Sequence, residues 1–179
     1  MDDDVVRKNK ELIEKYPFIL PRNRFTGKVS QSYDWTHTEY DFAEIPDGWR
    51  TKFLMNMFDE IRKSLIKEEK LRTGSDADKK KFAKYYCGDY DEKNCDLLHT
   101  FRILDIKEKF GQLRFYSNFS TKGVSKIISK YTKISERTCC MCGNDATLVS
   151  TGYVLPYCDK CAEKWKKYNS YINIEEWLK

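Results

Sequence analysis

Two Cys-x2-Cys pairs place the strongest constraint on how this chain can fold. Cys139 and Cys142 form the first pair, Cys158 and Cys161 form the second, and fifteen residues separate the pairs. Each pair lets two sulfurs converge on one ion from a tight turn, and the glycine after the first pair suits that turn. Two pairs at this spacing are typical of a closed tetrahedral zinc site. The pattern therefore predicts one structural zinc ion held by all four cysteines.

The residues around the two pairs predict the remainder of a small module over 136–179. Residues 147–155 have the composition of a β-hairpin that turns near Gly152, and a helical segment follows Cys161. Knuckle, hairpin, knuckle and helix in this order are typical of a treble clef or a zinc ribbon. A last helix is predicted over 172–179, with Trp177 packed against the module.

Three of the seven cysteines lie outside the pairs, namely Cys87, Cys95 and Cys140. Only Cys139 has the two-residue spacing to Cys142, so Cys140 is predicted to be a spare thiol. The acidic start of the sequence is unlike a secretory segment, and no apolar stretch is long enough to span a membrane. We therefore expect a cytoplasmic protein, in which paired cysteines favour metal over disulfides; two redox dithiols are the alternative.

Residues 1–135 are predicted to form an α+β domain in which helices pack on a small antiparallel hairpin, with a polar insertion at 72–98. A helix is expected over 2–15. The clearest helix starts at Pro46-Asp47-Gly48, with Asp47 or Gly48 as N-cap, and runs to about Lys70. Its apolar face consists of Trp49, Phe53, Met57, Phe58, Ile61 and Leu65. We expect metal chelation to loosen the zinc module while sparing much of this helix.

Two short strands, 101–107 and 113–116, are predicted to pair as a hairpin around Gly111, with Leu113 and Phe115 facing the core. Ser120 or Thr121 is then expected to cap a helix. Basic and aromatic side chains can line one surface of the hairpin and of the last module helix: Lys107, Lys109, Arg114, Tyr116, Lys164 and Lys167. Such a surface suits nucleic acid, and it equally suits an acidic host protein. Phe115 and Trp165 are expected to be core residues.

The formal charge of +5 comes from 33 basic and 28 acidic residues. Four thiolates and one Zn²⁺ contribute −4 + 2, so about +3 remains when the site is filled. This mild basic bias permits contact with phosphate groups, and a solvated mixed-charge surface is the alternative interpretation.

Enzymatic patterns are weak, and no catalytic residue is predicted. Asp105-Ile106-Lys107, with Asp91 or Asp96 upstream, resembles the loose pattern of a metal-dependent nuclease, but an exposed strand with alternating charges is the favoured interpretation. Neither His37 nor His99 has metal-ligand spacing, so each is predicted to be a hydrogen-bonded structural or surface residue. Capture of a small signalling nucleotide is a further alternative, and it requires a binding pocket, which only a structure can show.

Several stretches together carry a resemblance to a known group of proteins. These are residues 16–24, 46–50 and 106–116, together with the two cysteine pairs. In combination they resemble small zinc-ribbon-like or treble-clef-like proteins encoded by bacteriophages and prophages. The resemblance implies an accessory protein acting in the cytoplasm of a bacterial host, with inhibition of a host antiviral system as one use. It implies no catalytic residue, because these proteins have no assigned activity.

Overall fold

The computed structural model describes residues 3–20, 44–87 and 95–179, and these ranges form an α+β structure. Their helices are α1 (Asp3–Lys15), α2 (Asp47–Trp49), α3 (Met55–Leu71), α4 (Asp76–Cys87), α5 (Leu97–Thr100), α6 (Lys122–Glu136), α7 (Asp159–Trp165) and α8 (Ile174–Trp177). Their strands are β1 (Ile103–Lys109), β2 (Gln112–Ser117), β3 (Leu148–Ser150), β4 (Pro156–Tyr157) and β5 (Tyr171–Asn173). The strands form two small sheets, one of β1 and β2 and one in the order β4-β3-β5.

The predicted long helix is present as α2 and α3, joined by a π-helical stretch over Arg50–Leu54. All six residues of its predicted apolar face are buried, as the helical spacing requires. The predicted N-cap is wrong, because Pro46 occupies that position and no side chain caps the helix. The Pro46 carbonyl accepts hydrogen bonds from the amides of Trp49 and Arg50, both at 3.0 Å. The Gly48 amide is bonded outside the helix.

The chain groups into two compact units, each assembled from segments far apart in the sequence. In the described residues the first unit contains 3–20, 60–87, 95–105 and 116–125. The second contains 44–59, 106–115 and 126–179. The two predicted domains, 1–135 and 136–179, are each one continuous segment, whereas each unit of the structure consists of several separate segments.

Aromatic side chains form much of the core of the first unit. Phe101 contacts Phe18 edge-on at 5.7 Å between ring centroids, and it contacts Phe119 at 5.5 Å. Phe119 also meets the rings of Phe82 and Tyr86, both of which belong to α4. The predicted polar insertion therefore contains a packed helix of twelve residues, although residues 88–94 lie outside the described ranges.

Asn118 connects α4 to the start of the hairpin strands. Its side-chain amide donates to the carbonyls of Tyr86 and Thr100, at 3.0 and 2.9 Å. Its side-chain oxygen accepts from the amides of Arg102 and Phe119, at 2.8 and 3.1 Å. Three of these bonds, to Tyr86, Thr100 and Arg102, join segments that are far apart in the sequence, so no local pattern predicts this junction.

The β1-β2 hairpin turns at Phe110 and Gly111, where both residues have positive φ, 54° and 75°. A two-residue turn with this geometry matches the twist of paired strands. Leu113 is buried as predicted, while Phe115 is only half-buried. The amide of Leu113 donates to the Ser135 hydroxyl at 2.9 Å, which ties β2 to α6. Thr121 caps α6 through a bond from the Val124 amide, at 3.2 Å.

In the second unit, β3 pairs with β4 and β5 on its two sides, in antiparallel register. The predicted terminal helix over 172–179 is wrong in its first part, since Tyr171–Asn173 form strand β5. Strand β4 pairs with one edge of β3 only, and the backbone groups of the other edge need hydrogen-bond partners. Residues 171–173 lie along this second edge. The helix starts only at Ile174, where the Asn173 side chain accepts from the Glu175 amide at 2.8 Å.

Candidate metal centre

The four predicted cysteines lie together in the second unit. Their sulfur atoms are all within 4.8 Å of one another, and the Sγ atoms of Cys142 and Cys158 are 3.6 Å apart. Three of these cysteines are buried, and Cys142 is exposed. Among the residues that the structure describes, no other group of three or more potential ligands comes this close. The cluster can therefore hold one metal ion.

The first cysteine pair lies on a tight knuckle between α6 and β3. The Gly143 amide donates to the Cys139 carbonyl at 3.0 Å, and the Cys139 amide donates to the Asn144 carbonyl at 2.7 Å. Gly143 has a φ of 76°, a conformation that side chains other than glycine disfavour. The glycine after the first pair therefore has the role that its position predicts.

The second pair lies at the start of α7. Cys158 is the N-cap residue, and its carbonyl accepts from the amides of Cys161 and Ala162, at 3.0 and 2.9 Å. Knuckle, β-hairpin and a helix that supplies the second pair from its first turn make up the treble-clef arrangement. Asp159 links α7 to the residue directly before β3, because its carboxylate accepts from the Thr147 hydroxyl at 2.6 Å.

The sulfur positions fit a tetrahedral ion. A metal with bonds of about 2.3 Å to four thiolates requires sulfurs about 3.8 Å apart. The separation of 3.6 Å between Cys142 and Cys158 is close to this value, and the upper limit of 4.8 Å requires only a small contraction. Four thiolates complete the coordination, which leaves no position for a water molecule or a substrate.

The thiols differ in their acidity. A hydrogen bond from the Cys140 thiol, together with backbone amides of Cys158, Cys142 and Met141, lowers the pKa of Cys139 to about 4, against the opposing effect of burial. Burial raises the pKa of Cys158 and that of Cys161. A bound cation supplies the positive charge that lets all four sulfurs lose their protons.

Cys140 lies beside the cluster without belonging to it, as predicted for the spare thiol. Its hydrogen bond to Cys139 and its burial raise the pKa of this thiol. Its amide donates to the Pro156 carbonyl at 2.8 Å, so its backbone joins the knuckle to β4. Six cysteines are free thiols that form no disulfide, namely Cys95, Cys139, Cys140, Cys142, Cys158 and Cys161.

The start of α2 packs directly on the first knuckle, a contact that no sequence pattern predicts. The Gly48 amide donates to the Cys140 carbonyl at 2.8 Å. A Cβ atom at Gly48 would lie 2.2 Å from the Cys139 carbonyl oxygen, and one at Gly143 would lie 2.7 Å from the Gly48 oxygen. The indole nitrogen of Trp49 donates to the Thr138 carbonyl at 2.8 Å.

The predicted basic and aromatic residues lie on different elements and differ in how exposed they are. Lys109 and Tyr116 are exposed on the hairpin, Lys107 and Arg114 are half-buried there, and Tyr116 belongs to the first unit. Lys164 and Lys167 are exposed on and directly after α7. The expectation that Trp165 is a core residue is wrong, since 42% of it is exposed. The helix α7 is short and turns only Cys161 and Ala162 inward, which leaves the indole at the surface.

One residue of the weak nuclease pattern, Asp96, has a structural role. Asp96 caps α5, and its carboxylate accepts from the His99 amide and contacts the His99 ring, both at 2.8 Å. Burial raises the pKa of Asp96, but its bonds to His99 outweigh this effect and leave the pKa lowered. His99 is thus hydrogen-bonded, as predicted. Asp91 and His37 lie outside the described residues.

One cleft of about 490 Å³ lies beside the knuckle in the second unit. Its walls include the carboxylates of Glu44, Asp47 and Glu108, while none of its lining residues is lysine or arginine. Such a lining repels phosphate groups, so the cleft is unsuited to a nucleotide.

Comparisons with protein-family models, with curated proteins and with solved structures find no match to this chain. Within the described residues, no helix has the length and apolar character needed to cross a membrane.

Proposed function

We propose that this chain is a zinc-stabilised module that binds nucleic acid and catalyses no reaction. The observation that carries the proposal is the surface of α7 and the residues directly after it. This segment begins at the second cysteine pair and presents exposed lysines beside two exposed aromatic rings. We call it the α7 surface: Lys160, Lys164, Trp165, Lys167 and Tyr168.

Zinc is the metal that the donor set favours. Four thiolates in a tetrahedron suit zinc or iron, and zinc is the usual ion where the pairs lie on a knuckle and a helix start. A closed site of this kind stabilises the fold without taking part in chemistry. It would hold the first turn of α7 in place and so fix the α7 surface.

The charge of the α7 surface favours a polyanion as its partner. Lys166 pairs with Glu163, but Lys160, Lys164 and Lys167 form no ion pair with any described residue. Unpaired ammonium groups next to aromatic rings suit phosphate contact combined with base stacking. An acidic protein surface is the alternative partner, because the lysines and the two exposed rings suit it as well.

The biological role of this binding is inferred only from the resemblance to phage and prophage proteins. On that basis we propose a bacterial host cell as the setting and a host antiviral nucleoprotein as the target. Occupying its nucleic acid would inhibit it. No geometric observation favours the nuclease or the nucleotide-capture alternative.

The proposal is tested by binding of fluorescent oligonucleotides at low salt. The variant Lys164→Gln/Lys167→Gln should bind at least ten-fold more weakly than the wild type. The slope of its log affinity against log salt concentration should be smaller by about two, because two lysine–phosphate contacts are lost. Lys63→Gln/Lys70→Gln removes the same charge from exposed positions on α3 and should bind like the wild type. Absence of binding to any RNA or DNA at low salt would refute the proposal, as would equal losses in the two variants.

A further inference from the structure

We propose that the bound nucleic acid is single-stranded, and that Phe110 and Tyr168 each stack on one of its bases. This inference rests on the proposed function and adds the class of ligand. Both residues belong to the second unit, which also contains the metal centre.

The fold itself does not account for a phenylalanine at position 110. Phe110 is 66% exposed at the tip of the β1-β2 hairpin, with a φ of 54°. Turns of this type favour Asn-Gly, and a bulky residue at positive φ is strained. The exposed ring gains no compensating burial. Strain of this kind concentrates at functional positions, and a base stacked on the ring would supply the missing contact.

The hairpin tip is held firmly under this ring. The Gly111 amide donates to the Glu108 carboxylate at 2.7 Å, and the same carboxylate accepts from the Tyr153 hydroxyl at 2.6 Å. Gly111 also packs against Trp177, whose ring would lie 3.2 Å from an added Cβ atom. A ring presented from a fixed backbone loses little freedom when it binds.

Tyr168 provides a second exposed ring, on the α7 surface. It is 71% exposed, and its amide donates to the Trp165 carbonyl at 2.9 Å. The rings of Trp165 and Tyr168 lie 6.0 Å apart at 55° to each other. The tyrosine is thus positioned by a neighbouring aromatic side chain while most of it remains open to solvent.

Each of these rings has a lysine beside it. The ammonium of Lys109 lies 5.4 Å from the centroid of Phe110, and that of Lys167 lies 5.7 Å from the centroid of Tyr168. A ring for the base and a cation for the phosphate therefore occur together twice in one unit. Bases in a duplex are stacked on each other and their faces are hidden, whereas unpaired bases can stack on protein rings.

The test compares fluorescence anisotropy of the metal-loaded protein with unstructured 12-nucleotide DNA and RNA and with the matching duplexes. Phe110→Asn and Tyr168→Ala should each weaken single-strand binding about ten-fold, as expected for loss of one stacked base. Neither change should alter the slope of affinity against salt. Lys109→Gln should reduce that slope by about one, and Phe110→Tyr, which keeps a ring, should bind like the wild type.

Phe110→Asn suits the turn and should fold at least as well as the wild type, which a thermal melt checks. The inference is overturned if the wild type prefers duplexes, or if both ring variants bind single strands normally. In either case, binding that still depends on the lysines would leave the proposed function standing. If no oligonucleotide binds at low salt, both fail. A preference for RNA over DNA, or the reverse, would identify the strand and support the inference.

Discussion

Gly48 and Gly143 bring two distant segments into direct backbone contact. An added Cβ atom at Gly48 would meet the Cys139 oxygen at 2.2 Å and the Gly143 nitrogen at 2.5 Å. These neighbours are main-chain atoms, so they cannot move aside as the end of a flexible side chain can. The contact places the first helical turn against the knuckle that holds two metal ligands.

We therefore expect Gly48→Ala to lower the free energy of unfolding by about 3 kcal/mol, because overpacking against backbone forces the two segments apart. Gly152 is the matched control, since an added Cβ atom there meets nothing within 4 Å. Gly152→Ala should change stability by less than about 0.5 kcal/mol. Urea unfolding of the metal-loaded proteins measures both values, and equal stabilities for the two variants would contradict the proposed close contact.

The start of the long helix is hydrogen-bonded to the segment that holds the first cysteine pair. The Gly48 amide is bonded to the Cys140 carbonyl, and the Trp49 indole is bonded to the Thr138 carbonyl. Both acceptors lie in or next to the knuckle, whose conformation a bound ion would fix. The sequence alone favours a helix that survives chelation over most of 49–70, whereas these two bonds couple its first turns to the metal.

Chelation should accordingly speed hydrogen exchange at the amides of residues 48–54, because the acceptor carbonyls lose their fixed positions. The amides of α4 belong to the first unit and should keep their protection. Hydrogen-exchange mass spectrometry with and without a chelator makes this comparison. If residues 48–54 exchange at the same rate in both states, the helix start is independent of the metal.

Local signals predict most of the helices and strands, whereas long-range contacts decide how they assemble. The helical face from Trp49 to Leu65 and the four cysteines could be predicted because spacing alone defines them. The Gly48–Gly143 contact could not, since two glycines 95 positions apart carry no pairing signal. Trp165 is exposed because only a few residues of α7 face the interior. The two discontinuous units likewise arise from tertiary packing, which no local pattern encodes.

One zinc ion held by the four clustered cysteines is the central prediction, and elemental mass spectrometry of the purified protein tests it most directly. We predict one zinc per chain in the wild type and in Cys140→Ser, whose thiol lies outside the cluster. Cys139→Ser should lose the ion, because three thiolates leave the tetrahedron incomplete. A different metal, no metal, or zinc retained by Cys139→Ser but lost by Cys140→Ser would contradict the account.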